Sequence, residues 1–277
     1  MRVTFLSHAC SASHAALAAL LEAGMAPAAV VLAGEPGGSP VDVERLADAA
    51  GLPVVWVQTR AQAVQAMQAF LPEVGVAACF PWRLPRAARA VPRLGILNIH
   101  PSLLPIGRGP EPVFWTLRRV EPVTGVTVHQ MDAGFDTGPI LLQESLPVPD
   151  GIRAGELEDR LMAMGARALA AALPECASGA LQPRPQQDED ATLAPFPIPD
   201  DWIISPLLPA AWAWRFARGV ALLGGPLRVV TIERVIPVAD AVAWSAAERP
   251  DAAVIDVGDG TVLVRFSPGW VRFCVRS

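Results

Sequence analysis

Asn98 and His100 stand two positions apart in the stretch NIHPSLLP (98–105), directly after the apolar run GIL. Because side chains alternate between the two faces of a strand, a strand that ends here would project the amide and the imidazole from one face. Asn98 is also the single asparagine of the 277-residue chain. Amide and imidazole groups can hydrogen-bond to negative charge that develops on a reacting oxygen, and an imidazole can also move a proton.

A second stretch, GVTVHQMDAGFDTGPILLQ (125–143), adds carboxylates to this set. Its DAGFDTGP segment places Asp132 and Asp136 in a glycine-containing loop, and glycine permits the tight turns that a ligand-binding loop needs. Taken alone, the segment is equally consistent with a turn closed by aspartate side chains. With the first stretch it supplies an asparagine, a histidine and an aspartate, a set suited to acyl transfer to an amine. The sequence predicts Asn98, His100 and Asp136 as catalytic residues.

The remaining histidines receive weaker interpretations. His129 shares a strand face with Thr127, and we expect it to point to solvent or to the edge of a cofactor, without a role. His8, Cys10 and His14 carry metal-binding groups near the end of the first predicted strand. They are spread over a loop and a helix start with no fourth ligand nearby, so the sequence predicts no metal site. We expect this loop to border the pocket instead.

The first half of the chain alternates strand-like and helix-like segments. Apolar runs such as VTFLS, VGVAAC and LGILNIH are separated by helical patterns of ten to fifteen residues. This alternation predicts an α/β fold with a Rossmann-like, mostly parallel sheet that binds ligands beyond the carboxyl ends of its strands. Asn98 and His100 lie at such an end. The run GVTVHQMD alternates in polarity, which predicts a half-exposed strand.

The composition changes after a helical pattern that ends near Leu173. The segment LQPRPQQDEDATLAPFPIPDD is rich in proline and acidic residues and has no apolar period, which is typical of a linker. Short strand-like runs and turns such as GDG then predict a small β-rich module, barrel-like or OB-like. The predicted organisation is a catalytic domain over 1–185, a linker over 186–204 and a β-rich domain over 205–277.

Charge and composition limit the classes of function. The net charge is −5 and the pI is about 5.4, which argues against nucleic-acid binding through bulk charge. The four scattered cysteines are typical of reduced thiols in a cytoplasmic protein rather than of a disulfide framework. No stretch approaches the ~20 apolar residues that span a bilayer, and the N-terminal apolar run is too short for a secretion signal. We expect a soluble, cytoplasmic protein.

Three motifs carry a family resemblance: LNIHPSLLP, RGPEPVFW and TGVTVHQMDAGFDTGPILLQ. As an ordered set they resemble the folate-dependent formyltransferases, most densely over residues 74–145. The resemblance implies 10-formyltetrahydrofolate as co-substrate, no metal, and a catalytic triad that matches Asn98, His100 and Asp136. It also implies folate contacts at Phe80, Trp82, Arg83, Leu84, Ser102, Leu103, Leu104, Pro105, Met131, Asp132 and Gly134.

The acceptor of the formyl group is less constrained by the resemblance. The two-domain layout resembles that of the tRNA enzymes, but these carry a basic insertion where this chain has AGEPGGSPVD (33–42), which contains no basic residue. Residues 1–185 hold 14 arginines against 16 acidic residues, and residues 186–277 hold 8 against 11. We therefore expect a small-molecule primary amine, such as an amino sugar or a biosynthetic amine, as acceptor.

Three alternatives stay open. The first is a methionyl-tRNA formyltransferase that acts on initiator methionyl-tRNA. The second is a catalytically silent folate-binding module, although an intact triad speaks against it. The third is the formyltransferase-like half of a hydrogenase-maturation protein, suggested by RVTFLSHA. That family differs around the catalytic strand and carries a hydratase-like second domain, which the sequence after residue 186 does not resemble.

Overall fold

The chain divides into two compact units. The computed structural model describes residues 1–36, 42–247 and 252–276; residues 37–41 of the 33–42 segment therefore lie outside the described residues. The first unit comprises Met1–Pro112, Thr124–Leu146 and Glu158–Ala194, and the second comprises Val113–Val123, Pro147–Leu157 and Pro195–Ser277. Residues 186–194, which the sequence assigns to a linker, are part of the first unit. The domain boundaries at 185 and 204 stay a prediction.

The first unit is built on a seven-stranded sheet. Its strands are β1 (Val3–His8), β2 (Ala29–Ala33), β3 (Val54–Val57), β4 (Val74–Ala78), β5 (Ile96–His100), β6 (Val123–Gln130) and β7 (Ile140–Pro147). Their order is β3-β2-β1-β4-β5-β6-β7. Strands β1 to β5 pair in parallel, and β6 joins β5 antiparallel. The predicted Rossmann-like, mostly parallel sheet is confirmed.

Helices connect these strands as the alternating pattern predicts. They are α1 (Ser11–Glu22), α2 (Asp42–Ala49), α3 (Arg60–Phe70), α4 (Arg86–Arg89), α5 (Pro112–Arg119) and α6 (Ala154–Ser178). Helix α3 begins with a capping box in which Thr59 accepts from the Gln62 amide and the Gln62 side chain accepts from the Thr59 amide. Reciprocal bonds of this kind satisfy two backbone donors that a helix start leaves unpaired. No helix among the described residues is both long and apolar enough to cross a membrane.

Strand β6 is buried on both faces, so the expected half-exposed strand is wrong. Thr124, on the other face, is 5% exposed, and Thr127 and His129, the polar positions of its alternation, are 0% and 2% exposed. The loop that follows β5 covers this face, since the Leu104 amide donates to Oγ1 of Thr127 at 3.0 Å. Alternating polar residues indicate a solvent-exposed strand face only when no other segment covers that face. Here a loop from another part of the chain covers it, which the strand's own sequence does not reveal.

The second unit contains a mainly antiparallel six-stranded sheet, which confirms the predicted β-rich C-terminal part. Its strands are β8 (Ile203–Ile204), β9 (Arg228–Val230), β10 (Val235–Ser245), β11 (Val254–Asp256), β12 (Thr261–Arg265) and β13 (Trp270–Val275), in the order β11-β12-β13-β10-β9-β8. Helix α7 (Ala210–Val220) presents the fully buried Phe216 from its amphipathic face, and Phe273 of β13 is equally buried.

Candidate functional site

The predicted catalytic side chains gather where β5 and β6 lie side by side. Asn98 and His100 are on β5, and the antiparallel register places Asn98 opposite His129 and His100 opposite Thr127. Asn98 is half-buried, whereas His100 is 5% exposed. Because alternate residues share a face, the pairing brings an amide and two imidazoles together on one side of the sheet.

Asp136 joins this group from the loop between β6 and β7. Its Oδ1 lies 3.5 Å from Nδ2 of Asn98, 3.7 Å from Nδ1 of His100 and 3.5 Å from Nε2 of His129. Its Oδ2 accepts a hydrogen bond of 3.0 Å from the Gly109 amide. The structure therefore brings the three predicted catalytic residues into one cluster, and His129 belongs to it.

The loop that carries Asp136 is fixed by contacts distant in sequence. Asp136 adopts a φ of 54°, in the left-handed region that aspartate tolerates better than most residues. Gln186 Nε2 donates to the carbonyl oxygens of Asp136 and Gly138 at 2.8 and 2.7 Å. The Gln186 oxygen accepts in turn from Nε and a terminal nitrogen of the buried Arg108. Sequence reasoning missed Gln186 and Arg108, because one lies in the predicted linker and neither belongs to a catalytic pattern.

Asp136 is held as a carboxylate by its surroundings. Burial raises the pKa of Asp136, but the charges of His100 and His129 and the hydrogen bonds from His129 and the Gly109 amide outweigh burial. The pKa of this carboxyl therefore lies well below its usual range. Asp136 is therefore ionised at neutral pH.

His100 has a distinct partner on each ring nitrogen. Nε2 lies 2.9 Å from the Gly107 carbonyl oxygen, which can only accept, so this nitrogen carries a proton. Nδ1 faces Asp136 at 3.7 Å, longer than a direct hydrogen bond. A water or a small shift of either side chain would close this gap, and catalytic contacts often tighten when substrate binds.

His129 does not face solvent, which was one of the two orientations expected from the sequence, and it lies within the cluster although the sequence suggested no role for it. It is 2% exposed, and its Nε2 lies 3.1 Å from Nδ2 of Asn98. Its Nδ1 is buried without a partner among the described residues. A proton on Nε2, facing the Asp136 carboxylate, avoids burying an unpaired N–H donor. Its position opposite Asn98 follows from strand pairing, which the sequence did not specify.

The residues predicted to contact folate fall into two groups. In the first, Phe80, Trp82 and Met131 are partly buried and pack against the same apolar cluster, with the two rings edge to face at 5.6 Å. Arg83 lies over the exposed ring of Phe135, 5.5 Å from its centroid. The segment after β4 and the loop after β6 therefore meet beside Asp136 and offer apolar surface to a ligand.

In the second group, the polar side chains form hydrogen bonds within the protein. Ser102 donates to the Ile106 carbonyl oxygen, and Leu104 and Leu84 are buried at 3% and 4% exposure. Asp132 accepts from the Gly134 amide at 2.9 Å and from the Thr137 hydroxyl at 2.7 Å, which closes the loop. Leu103, Pro105 and Gly134 are partly exposed. The folate contacts of all these residues stay a prediction.

A family model described as formyl transferase matches residues 42–173. The methionyl-tRNA formyltransferase of Chloroflexus aggregans is 40% identical over 226 residues, which cover 79% of this chain and 73% of that protein. The chain belongs to the formyl transferase family. The predicted family and the predicted class of enzyme, an N-formyltransferase, are thereby confirmed.

Solved structures share the fold of this chain. HypX from Aquifex aeolicus, in complex with tetrahydrofolic acid, aligns with a TM-score of 0.68 at 17% identity over 99% of this chain. This chain spans only 43% of HypX. The N-formyltransferase of Helicobacter canadensis, in complex with folinic acid and dTDP-3-aminofucose, aligns over the full length of both chains with a TM-score of 0.68 and 13% identity. At these identities the likeness concerns the fold.

The expected small-molecule acceptor is wrong. Seven further relatives, 34–40% identical, carry the same name, methionyl-tRNA formyltransferase. The expectation relied on the net charge of each domain and on the absence of basic residues from 33–42. Net charge does not report how arginines cluster locally, so it was a poor guide to the acceptor.

Proposed function

We propose that the protein transfers a formyl group from 10-formyltetrahydrofolate to the amino group of methionyl-tRNA. The observation that carries the chemistry is the convergence of Asn98, His100 and His129 on Oδ1 of Asp136, all within 3.7 Å. The names of the relatives at 34–40% identity support methionyl-tRNA as the acceptor.

The residues beside Asp136 fit a folate donor. Phe80, Trp82 and Met131 present partly buried apolar surface, which suits a flat aromatic ligand. Proteins of the same fold have been solved with tetrahydrofolic acid and with folinic acid. In our proposal these three side chains hold the donor and orient its formyl group toward Asn98.

The donor supplies the formyl carbon that the neutral amine attacks, and negative charge then develops on the formyl oxygen. Asn98 can donate from its half-buried amide to this oxygen. His100 keeps one proton on Nε2 toward Gly107, so only a second proton, on Nδ1, could be donated at the reacting side. The ionised Asp136 stabilises that doubly protonated ring.

The low pKa of Asp136 decides its role in proton transfer. A carboxylate with a strongly depressed pKa is a weak base, so it does not keep the proton that the amine releases. We assign Asp136 to holding the charge and orientation of His100. The proton then passes through His100, or through water, to the departing nitrogen of the folate.

The test is formylation of methionyl-tRNA by the purified protein with 10-formyltetrahydrofolate, followed by acid-gel analysis of the aminoacyl-tRNA. We expect turnover of about 1 s⁻¹ or more, as is typical of enzymes. Deacylated tRNA and an amino-sugar nucleotide serve as control acceptors. Turnover of the amino sugar without turnover of the tRNA would overturn the proposal.

The Asn98→Ala variant tests the proposed mechanism. Removing one donor to a developing oxyanion costs about 10²–10³-fold in kcat. Folate binding, followed by the quenching of tryptophan fluorescence, should be retained, since Asn98 is not among the residues assigned to the donor. A variant within threefold of wild type would remove Asn98 from the mechanism.

A further inference from the structure

A second cluster of reactive side chains lies on the neighbouring pair of strands. Strands β1 and β4 pair in parallel, so their carboxyl ends lie side by side. His8 ends β1, Cys10 precedes helix α1, and Cys79 follows β4. Nδ1 of His8 hydrogen-bonds to the Cys79 carbonyl oxygen. The His8 ring and the Cys79 side chain also interact electrostatically with the sulfur of Cys10.

The sulfur of Cys10 also caps helix α1. Sγ accepts from the Ser13 amide at 3.4 Å and lies 3.0 Å from the Ser13 hydroxyl oxygen. A serine would serve as an N-cap at least as well, so capping does not explain a cysteine at this position. The positive end of the helix dipole, the ring of His8 and the thiol proton of Cys79 all favour a negative charge on this sulfur.

The two cysteines differ in protonation. The hydrogen bond from Cys79 lowers the pKa of Cys10, and with the contribution of His8 it overcomes burial and brings the pKa to about 4. The same hydrogen bond, together with burial, raises the pKa of Cys79. His8 is held protonated, with a pKa of about 9. The partly buried Glu158 of helix α6 also faces this group, and desolvation by burial raises its pKa to about 7.

The cluster has no part in the formyl transfer described above. It is also not arranged to bind a metal, since no three histidine, cysteine or acidic side chains among the described residues form a group that could hold one. Cys10 is partly exposed, so a small oxidant can reach the attacking sulfur, while the Cys79 thiol lies deeper. The thiolate is the nucleophilic form of cysteine, and a helix N-terminus and a neighbouring histidine both favour it.

We propose that Cys10 and Cys79 form a peroxide-reactive dithiol, in which Cys10 is the attacking sulfur and Cys79 resolves the product into a disulfide. The Cys10 thiolate attacks the terminal oxygen of a hydroperoxide and breaks the O–O bond. This gives a sulfenic acid on Cys10 and an alcohol, which takes its proton from His8. The Cys79 sulfur then displaces hydroxide from Cys10, and the Cys79 proton leaves with it as water.

Overall, the reaction converts two thiols and one hydroperoxide to one disulfide, one alcohol and one water. The sulfurs lose two electrons, and the peroxide gains them. A low-molecular-weight thiol reverses the reaction by thiol–disulfide exchange. The new bond would form at the residue before Phe80, where the segment predicted to contact folate begins.

The test treats the whole reduced protein with one equivalent of hydrogen peroxide and maps the products by mass spectrometry. We expect a 10–79 disulfide, with the loss of two hydrogens. The Cys176→Ser, Cys274→Ser double variant should give the same product, because both residues lie outside the cluster. The Cys79→Ser variant should stop at a Cys10 sulfenic acid that dimedone traps. Oxidation spread evenly over the four cysteines would overturn the proposal.

Alkylation by iodoacetamide measures the reactivity of the Cys10 thiolate without requiring a disulfide to form. The rate at Cys10 should stay nearly constant from pH 6 to 8, because the thiolate is already formed. The rate at Cys176, whose pKa is raised by burial, should rise about tenfold per pH unit. Of the groups around Cys10, Glu158 and His8 have pKa values within or near this pH range, and the pKa of Cys79 lies above it. A tenfold rise per pH unit at Cys10 as well would contradict the assignment.

Discussion

Oδ1 of Asp136 is the atom at which the polar side chains of the site meet. Its three neighbours come from two strands, and the Gly109 amide binds the other oxygen of the same carboxyl group. Removing the charge leaves two buried imidazoles without their anion. The carboxylate therefore contributes both to catalysis and to the stability of the first unit.

Asp136→Asn is expected to lower stability in a pH-dependent way. The folded-state pKa of Asp136 is depressed, so its contribution is fully present above the ordinary aspartate pKa of ~3.9 and is lost as the pH falls through the folded-state value. At pH 7 the variant should lose about 1–3 kcal/mol in free energy of unfolding, the usual cost of unpairing buried polar groups. The difference should shrink below about pH 4. Urea denaturation at pH 7, 5 and 3.5 measures it.

Asp188→Asn is the control for this experiment. Asp188 pairs with Arg108 at 2.8 Å, but its side chain is 85% exposed. Because the aspartate end of this pair is exposed to solvent and screened by salt, its charge should contribute ~0–1 kcal/mol, with little change across the same pH range. A pH-independent loss in Asp136→Asn would show that packing, rather than charge, accounts for its effect.

His129 is expected to act through Asn98 as a positioning residue. Nε2 of His129 lies 3.1 Å from Nδ2 of Asn98 and 3.5 Å from Oδ1 of Asp136, so the ring packs against the amide and limits its orientation. His129→Phe should lower kcat by about 10–100-fold, the range that a small misplacement of a catalytic group causes. The KM for the folate donor should change less than threefold.

His129→Gln tests whether a hydrogen bond suffices. A glutamine side chain can still accept a hydrogen bond from the Asn98 amide, so we expect it to recover part of the activity lost in His129→Phe. Steady-state kinetics on methionyl-tRNA at pH 7.5 measures both variants, and thermal unfolding checks that they fold. If the two variants were equally slow and equally stable, hydrogen bonding to Asn98 would not be the function of His129.

At the scale of elements, the sequence predicts what depends on local periodicity. The alternation of strands and helices specifies the parallel sheet, and the two-residue spacing of Asn98 and His100 specifies that they share a face. The contribution of His129 depends on the antiparallel pairing of β5 with β6. That pairing is long-range, and the sequence of neither strand alone predicts it.

The contacts of Gln186 show a second limit of the sequence. The proline-rich segment around it lacks an apolar period, which is typical of a linker, yet part of it packs on the loop of Asp136 through backbone and amide hydrogen bonds. The Arg184 amide also pairs with the Ile140 carbonyl oxygen at 2.8 Å. Such bonds need no hydrophobic pattern, so composition does not reveal them.

Gly165 of helix α6 allows the helix to approach both strands that carry the site. A Cβ at this position would lie 2.6 Å from Val126 on β6 and 2.7 Å from Ile99 on β5. Overpacking costs about 1–3 kcal/mol, whereas alanine gains up to about 1 kcal/mol in helix propensity. Gly165→Ala should therefore be destabilised by up to ~2 kcal/mol and should lose activity. Urea denaturation and kcat measure the two effects.

Gly155 gives the matched control in the same helix. A Cβ there would meet nothing within 4 Å. Gly155→Ala should therefore keep its activity and gain up to ~1 kcal/mol from helix propensity alone. Equal stability changes in the two variants would mean that the contact with β5 and β6 is not the limiting feature at Gly165.

At the scale of the whole molecule, charge limits how tRNA can be bound. All 22 basic residues are arginine against 27 acidic residues, and arginine binds phosphate in a bidentate fork. Several arginines already form ion pairs within their own unit: Arg108, Arg153, Arg215, Arg228 and Arg272. Recruiting these to phosphates would break the existing pairs. We therefore expect the proposed acceptor to be held by few phosphate contacts.

Binding of methionyl-tRNA is expected to depend weakly on salt. Each neutralised phosphate releases condensed counterions, and six to ten contacts cost about 10³–10⁵ in affinity between 50 and 200 mM salt. With about two to four contacts, we expect a loss of roughly 10–100-fold over the same range. Fluorescence anisotropy with labelled methionyl-tRNA measures it, and the KM for tRNA should follow the same trend. A loss of 10³ or more would mean that the arginines form a concentrated basic surface despite the acidic balance of the chain.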